Sequence, residues 1–327
     1  MFKFLCVILL LISGLRDTTI GVDLQGYVDL FLHNELDNRD FLEPGYLVFS
    51  RFMHFICPSP FFYILTTTCL VNIPIFYVIT RKSVNPIFSL LVYVIELHYF
   101  FSFSVVRQCI AISMCVLALY YLIEDRFAKS IIWCILACSF HSTAYIFLLV
   151  YVLKYVAFKP KIVNLLLILS TLAPLFIDSR SFFMLLPQVG AGTEYLAKYS
   201  DYLFGQELPV TRILLSIIPG TIVALLIFND QYKGNRVDII MKVFILGTIL
   251  NNIFITHPIG FRILKPFIIL SVILIPNYIF QGSNVSFKRK FKNYYIFFYL
   301  ILYAYNLYAR MVEDYPNDIV PYRLFGF

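Results

Sequence analysis

Apolar runs recur along almost the whole chain. There are about ten of them, most close to the roughly 20 residues a helix needs to cross a hydrocarbon core. They fall at about 1–15, 61–80, 86–102, 105–123, 130–153, 162–178, 210–228, 238–256, 262–280 and 292–310. In lipid every backbone N–H and C=O must be bonded internally, so runs of this length become helices. Hydrophobic residues make up 60% of the 327 and charged residues only 14%. A soluble domain averages roughly 25% charged, and one core of this size cannot hide so much apolar surface. The chain therefore reads as an all-α, polytopic transmembrane bundle of about 9–11 membrane segments, a single integral membrane domain over 1–327. Phe2 to Leu15 reads as an uncleaved first span, because no Ala-x-Ala-like site follows it.

The net charge of +7 does not point to nucleic acid. The surplus cations sit in short loops: Arg81-Lys82, Arg126 with Lys129, Lys154 with Lys159 and Lys161, Lys233 with Arg236, and Lys288-Arg289-Lys290 with Lys292. The positive-inside rule places all five clusters in the cytoplasm. The outer face then holds 16–60, about 102–107, 179–209, 257–261 and the tail 311–327. Run 130–153 is flanked by basic loops at both ends, which a single crossing cannot satisfy. A re-entrant hairpin with its tip near Ser139-Phe140-His141-Ser142 resolves the conflict, and a simple span is the alternative. Runs 86–102 and 105–123 are separated only by Ser102-Phe103-Ser104, read as a tight turn at the outer face, which puts Arg107 and Gln108 in the first turn of the next helix.

Several polar groups need an explanation. The outer loop is acidic, with Asp17, Asp23, Asp29, Glu35, Asp37, Asp40 and Glu43 against Arg16 and Arg39. The segment after it, Leu47 to Cys57, is too short to span and is expected to lie at the interface or dip in. An ionisable group in or near an apolar run costs about 2.5–3.5 kcal/mol and defaults to a functional role. That applies to Arg107, whose planar fork of donors suits phosphate oxygens, with snorkelling as the alternative. His141 titrates in the range of a general base. Arg262 and Lys265, three apart, are expected on one face of one helix as an anion site, with Arg323 on the same side of the membrane. Glu96 and His98 are candidates for an internal polar pair, although residues two apart do not face each other on a helix. The seven cysteines lie in or beside apolar runs with no Cys-x-x-Cys pair, and they read as small hydrophobes rather than metal ligands. No nucleotide-binding, zinc-protease or serine-hydrolase motif is present, so no metal or cofactor is expected.

Three stretches, in order, resemble the EpsG-like, or Wzy-like, polysaccharide polymerases of bacteria. The first is Gly21-Val22-Asp23-x3-Tyr27 followed by Glu43-Pro44-Gly45-Tyr46. The second is Val106-Arg107-Gln108-x2-Ala111 followed by Tyr120-Tyr121-Leu122. The third is Ala137-x2-Phe140-His141-Ser142-x-Ala144, and Gly260-Phe261-Arg262 adds a weaker match. Leu24 stands where such proteins often have Tyr.

The resemblance implies a multi-pass protein of the bacterial inner membrane. Such proteins join oligosaccharide repeat units carried on undecaprenyl pyrophosphate at the outer face of that membrane. The leaving group is already activated, so no nucleotide is required. Its charge calls for cations, which Arg107, Arg262, Lys265 and Arg323 can supply with Gln108 and Tyr27 beside them. The acceptor hydroxyl needs a base or an orienting acceptor, for which Asp23, Glu43 and His141 are the candidates. The expected partners are the lipid-linked oligosaccharide and the bilayer, with a chain-length regulator and a flippase alongside. The rival from another class is a polyprenyl-linked glycan flippase or other secondary transporter. It predicts internal repeats and paired broken helices in matching halves, and no clear repeat is visible. A membrane acyltransferase would need a poised His–acid pair.

Overall fold

A computed structural model describes residues 1–33, 42–177, 210–234, 237–257, 260–281, 285–312 and 322–326. The expected outer loop 179–209, the acidic residues Glu35, Asp37 and Asp40, Arg39, and Arg236 of the fourth basic cluster lie outside those residues. Among the described residues the structure is helical, and its sole extended pairing is an isolated antiparallel bridge between Arg16 and Leu324.

Two compact units emerge: Met1–Phe147 with Ser271–Phe327, and Leu148–Leu270. In the first, α1 (Phe2–Gly14), α2 (Leu24–His33), α3 (Pro44–Ile56), α4 (Pro60–Lys82), α5 (Pro86–Ile95), α6 (His98–Ser104), α7 (Val106–Ile123) and α8 (Phe127–Phe140) run in sequence. Proline opens α3, α4 and α5, where its missing N–H is not needed. Helix α7 is buried on nearly every side, packed between α4 and α8. This is the position an all-round apolar helix takes. The second unit holds α9 (Leu149–Leu153), α10 (Pro160–Leu172), α11 (Val210–Lys233), α12 (Ile239–Phe254), α13 (Gly260–Ile263) and α14 (Lys265–Ile268). Helices α10, α11 and α12 pack mutually. Asn252 of α12 lies within 2.8–3.1 Å of the hydroxyls of Ser170, Thr171 and Thr221, a buried polar knot among the three. The chain returns to the first unit with α15 (Ser271–Phe280) and α16 (Val285–Val312).

Each apolar run in the sequence falls on helix. Three helices, in α4, α7 and α11, are long and apolar enough to cross a membrane, and the bent pair α5–α6 makes a fourth. The others are shorter, interrupted or, in the 28-residue α16, not apolar enough, and three interruptions matter.

Run 86–102 is not one continuous helix. Leu97 takes a left-handed conformation (φ 62) and α5 and α6 bend by 53°. The expected outer turn shrinks to a single residue, Val105, between α6 and α7. Run 130–153 breaks where the charge argument placed its tip: His141 is extended (φ −159, ψ 131), and Ser142–Leu148 continues as a 3₁₀ helix. Run 262–280 is divided into α13, α14 and α15, with Leu264 between Arg262 and Lys265. The two cations therefore fall on successive short helices rather than on one.

Candidate functional site

Helix α7 carries Arg107 at its first turn and ends at Ile123 beside the basic loops, about 24 Å away at 1.5 Å per residue. At that far end Lys82 pairs with Glu124 at 2.6 Å, and Asn277 of α15 brackets the α4–α5 connection through Lys82 O and Val84 N, both at 2.8 Å. The opposite end of α7 gathers the first motif, Arg107 and Gln108 of the second, and the third.

Close backbone approaches build this end. Gly21 has φ +115, and a Cβ there would lie 2.1 Å from Phe103 O, so only glycine lets the first loop press onto the end of α6. The Val22 N–H then donates to Ser104 Oγ at 3.2 Å. This seats α2 so that Tyr27 reaches Arg107. Gly45 does the same for α3: a Cβ there would meet Ser139 Oγ at 2.2 Å and Ser139 O at 2.7 Å. Removing the side chain lets the start of α3 lie against the end of α8, which brings Glu43 to the break at His141.

Arg107 Nη1 and Glu43 Oε2 form an ion pair at 2.5 Å, with the two side chains only 13% and 16% exposed. Arg107 Nε points to the Tyr27 hydroxyl at 3.4 Å. Its guanidinium lies 5.6 Å from the ring centres of both Tyr27 and Tyr46, within cation–π range. Burial pushes the Tyr27 phenol above its usual value, opposed by the Arg107 charge, so it stays a hydroxyl. Tyr46 is held in turn by Tyr63 through their hydroxyls at 2.8 Å. The second oxygen of Glu43 accepts the Ser142 N–H at 2.9 Å. One carboxylate thus clasps the start of α7 and the broken end of α8. Beside it, Gln108 is 1% exposed and donates to Thr143 Oγ1 at 3.3 Å, and Thr143 meets His141 Nδ1. Asp23 ends the first loop one turn ahead of Tyr27 and adds to the electrostatics of that phenol.

The structure therefore collects Asp23, Tyr27, Glu43, Arg107, Gln108 and His141 at one end of the first unit. Arg262 and Lys265 belong to the second unit, in α13 and α14. Arg323 is exposed; its carbonyl accepts the Asp17 N–H at 3.0 Å, which ties the tail to the end of α1. Sequence reasoning missed Thr143 and the role of the Ser142 N–H, both of which depend on the break at His141, and Tyr46 as a wall of the Arg107 site. It also missed Arg16. That residue is 1% exposed, bonded to Ser13 and Thr68 and stacked 4.8 Å from the Phe103 ring.

A second polar cluster lies deeper. Glu96 Oε1 accepts from Tyr295 at 2.6 Å, and Oε2 accepts from Ser271 and sits 3.1 Å from His98 Nε2. Glu96 and His98 meet despite being two apart because left-handed Leu97 breaks the helix between them. The cluster ties the bend to α15 and α16. Among the described residues no group of His, Cys, Asp or Glu is arranged to hold a metal.

Apolar helices of spanning length with a buried cation–carboxylate–tyrosine cluster at one end define a polytopic membrane protein with a charged site. The chain belongs to the EpsG family, a family of Wzy-like polysaccharide polymerases, which it matches over residues 1–324. No curated protein and no solved structure gives a significant match.

Proposed function

We propose that this protein polymerises surface-glycan repeat units carried on undecaprenyl pyrophosphate at the outer face of the bacterial inner membrane. The Arg107–Glu43 pair supports this reading most directly. In the resting protein the cation that suits pyrophosphate is neutralised by the carboxylate that suits the acceptor hydroxyl. A lipid pyrophosphate competes for Arg107 with a higher charge and several oxygens. When Arg107 turns to it, Glu43 keeps only the Ser142 N–H, and its other oxygen is released to the acceptor hydroxyl. The acceptor hydroxyl then attacks the anomeric carbon of the growing glycan. Its proton passes to Glu43, the bond from that carbon to the pyrophosphate oxygen breaks, and the electron pair leaves on the lipid pyrophosphate. Tyr27 holds the guanidinium during the exchange, Asp23 orients the acceptor beside it, and Arg323 serves as an additional cation for the carrier. No cofactor takes part. The enzyme works downstream of a flippase and with a chain-length regulator.

The test is the surface glycan of a deletion strain complemented with variants. Single repeat units on the anchor in the deletion, restored to long chains by the wild-type gene but not by Arg107→Ala or Glu43→Gln, are expected. Normal chain-length distributions with both variants sink the assignment. Loss of all glycan, with lipid-linked units trapped inside, identifies a flippase instead.

A further inference from the structure

His141 is flanked by groups that decide which of its two nitrogens carries the proton. The residue leaves α8 in extended backbone, and Thr143, two residues on, faces the ring. The Thr143 backbone N–H points at Nδ1 at 3.2 Å, and Thr143 Oγ1 lies 2.9 Å from the same atom. A backbone N–H can only donate. The hydroxyl can do either, but its oxygen already receives Gln108 Nε2 at 3.3 Å, an amide NH₂ that only donates. Because the backbone N–H already requires a lone pair on Nδ1, the hydroxyl meets the same atom as a donor. Two donors converge on one ring nitrogen, which must present a lone pair, and in a neutral imidazole the proton then sits on Nε2.

We infer that Gln108 and Thr143 are positioning residues that fix His141 as the Nε2–H tautomer, making it a hydrogen-bond donor to a phosphate oxygen of the lipid pyrophosphate rather than the base. The substrate half of this assignment rests on the polymerase reading above; the tautomer half does not. It also divides the labour at the site. Proton acceptance is left to Glu43, and His141 joins Arg107 in stabilising the charge that develops on the leaving group.

Magic-angle-spinning NMR of the full chain in lipid bilayers, labelled with ¹⁵N-histidine and free of substrate, reads the tautomer directly. The His141 signals are assigned by their loss in His141→Gln. An imine-type Nδ1 with an amine-type Nε2 is expected in the wild type and in Thr143→Ser. Thr143→Val, which keeps the backbone donor but lacks the hydroxyl, is expected to gain a visible Nδ1–H population. A wild-type ring protonated on Nδ1 overturns the inference. Complementation supplies the second readout, because a glutamine amide can donate from near the Nε2 position but cannot act as a base. His141→Ala is expected to lower polymer output about 10–100-fold, the range for losing a hydrogen bond to a charged group, and His141→Gln to recover part of that loss. Equal loss in both, with both proteins present in the membrane, overturns the donor role. Normal polymer in the deletion strain would remove the polymerase reading and the substrate role together, whatever the tautomer.

Discussion

The Arg107–Glu43 pair should hold two segments together through mutual charge, and a double-mutant cycle measures that. The perturbations are Glu43→Gln, Arg107→Ala and the two combined. At about 4 Å between charge centres and an effective dielectric of about 20, the attraction is about 4 kcal/mol before desolvation is subtracted. Removing one partner of a largely buried pair typically costs about 3–5 kcal/mol, because the other is left uncompensated. Here the residual charge keeps some company: Arg107 retains the Tyr27 hydroxyl and two rings, and Glu43 retains the Ser142 N–H. Each single variant is therefore expected near the low end, about 3 kcal/mol. The double variant leaves neither charge behind, so it should fall short of the sum by about 2 kcal/mol, within the range measured for contacting residues. Unfolding of the purified proteins in mixed micelles, titrated with denaturant, provides the numbers. Additive losses, within about 0.5 kcal/mol, would refute the idea that this pair clasps α7 to the start of α3.

Other perturbations address the supports of the site. Gly45→Ala drives a Cβ into Ser139, including its backbone oxygen, and is expected to destabilise by about 1–3 kcal/mol in the same assay; Ser139→Ala in that background should restore only part, because the carbonyl remains. Glu96→Ala strands the Tyr295, Ser271 and His98 donors around the bend and is expected to cost about 3–5 kcal/mol, whereas Tyr295→Phe removes one bond and should cost about 1–3 kcal/mol. A loss below about 0.5 kcal/mol for Glu96→Ala would show that the cluster does not hold the break. Lys82 holds the Glu124 carboxyl below its ordinary value of 4.5. A lowered carboxylate contributes stability that is fully present above its unfolded value and lost as pH falls through the folded one. The melting temperature of the wild type relative to Glu124→Gln should therefore be flat from pH 6 to 8 and narrow below about pH 4.5; a difference that instead grows on acidification would refute the pairing.

The sequence by itself determined the helical class and the lengths of the uninterrupted spans such as α4 and α7. Runs of about 20 apolar residues leave the backbone no other way to satisfy its polar groups in lipid. It also singled out Arg107, His141, Asp23, Tyr27 and Glu43, since charged or polar groups beside apolar runs stand out against so uniform a background. The break at His141 was legible too, from basic loops on both sides of run 130–153. Three things only the tertiary structure decided. Glu43 and Arg107 are 64 residues apart, and no periodicity predicts that two glycines, Gly21 and Gly45, allow the backbones close enough for their side chains to meet. Glu96 and His98 look incompatible on a continuous helix, and become partners because Leu97 adopts a left-handed turn that propensity disfavours and surrounding bonds enforce. Run 262–280 looks like one helix because hydropathy counts side chains and is blind to the backbone turn at Leu264. The ends of the apolar runs were written in composition; which polar groups face one another across them was set by close packing between segments distant in sequence.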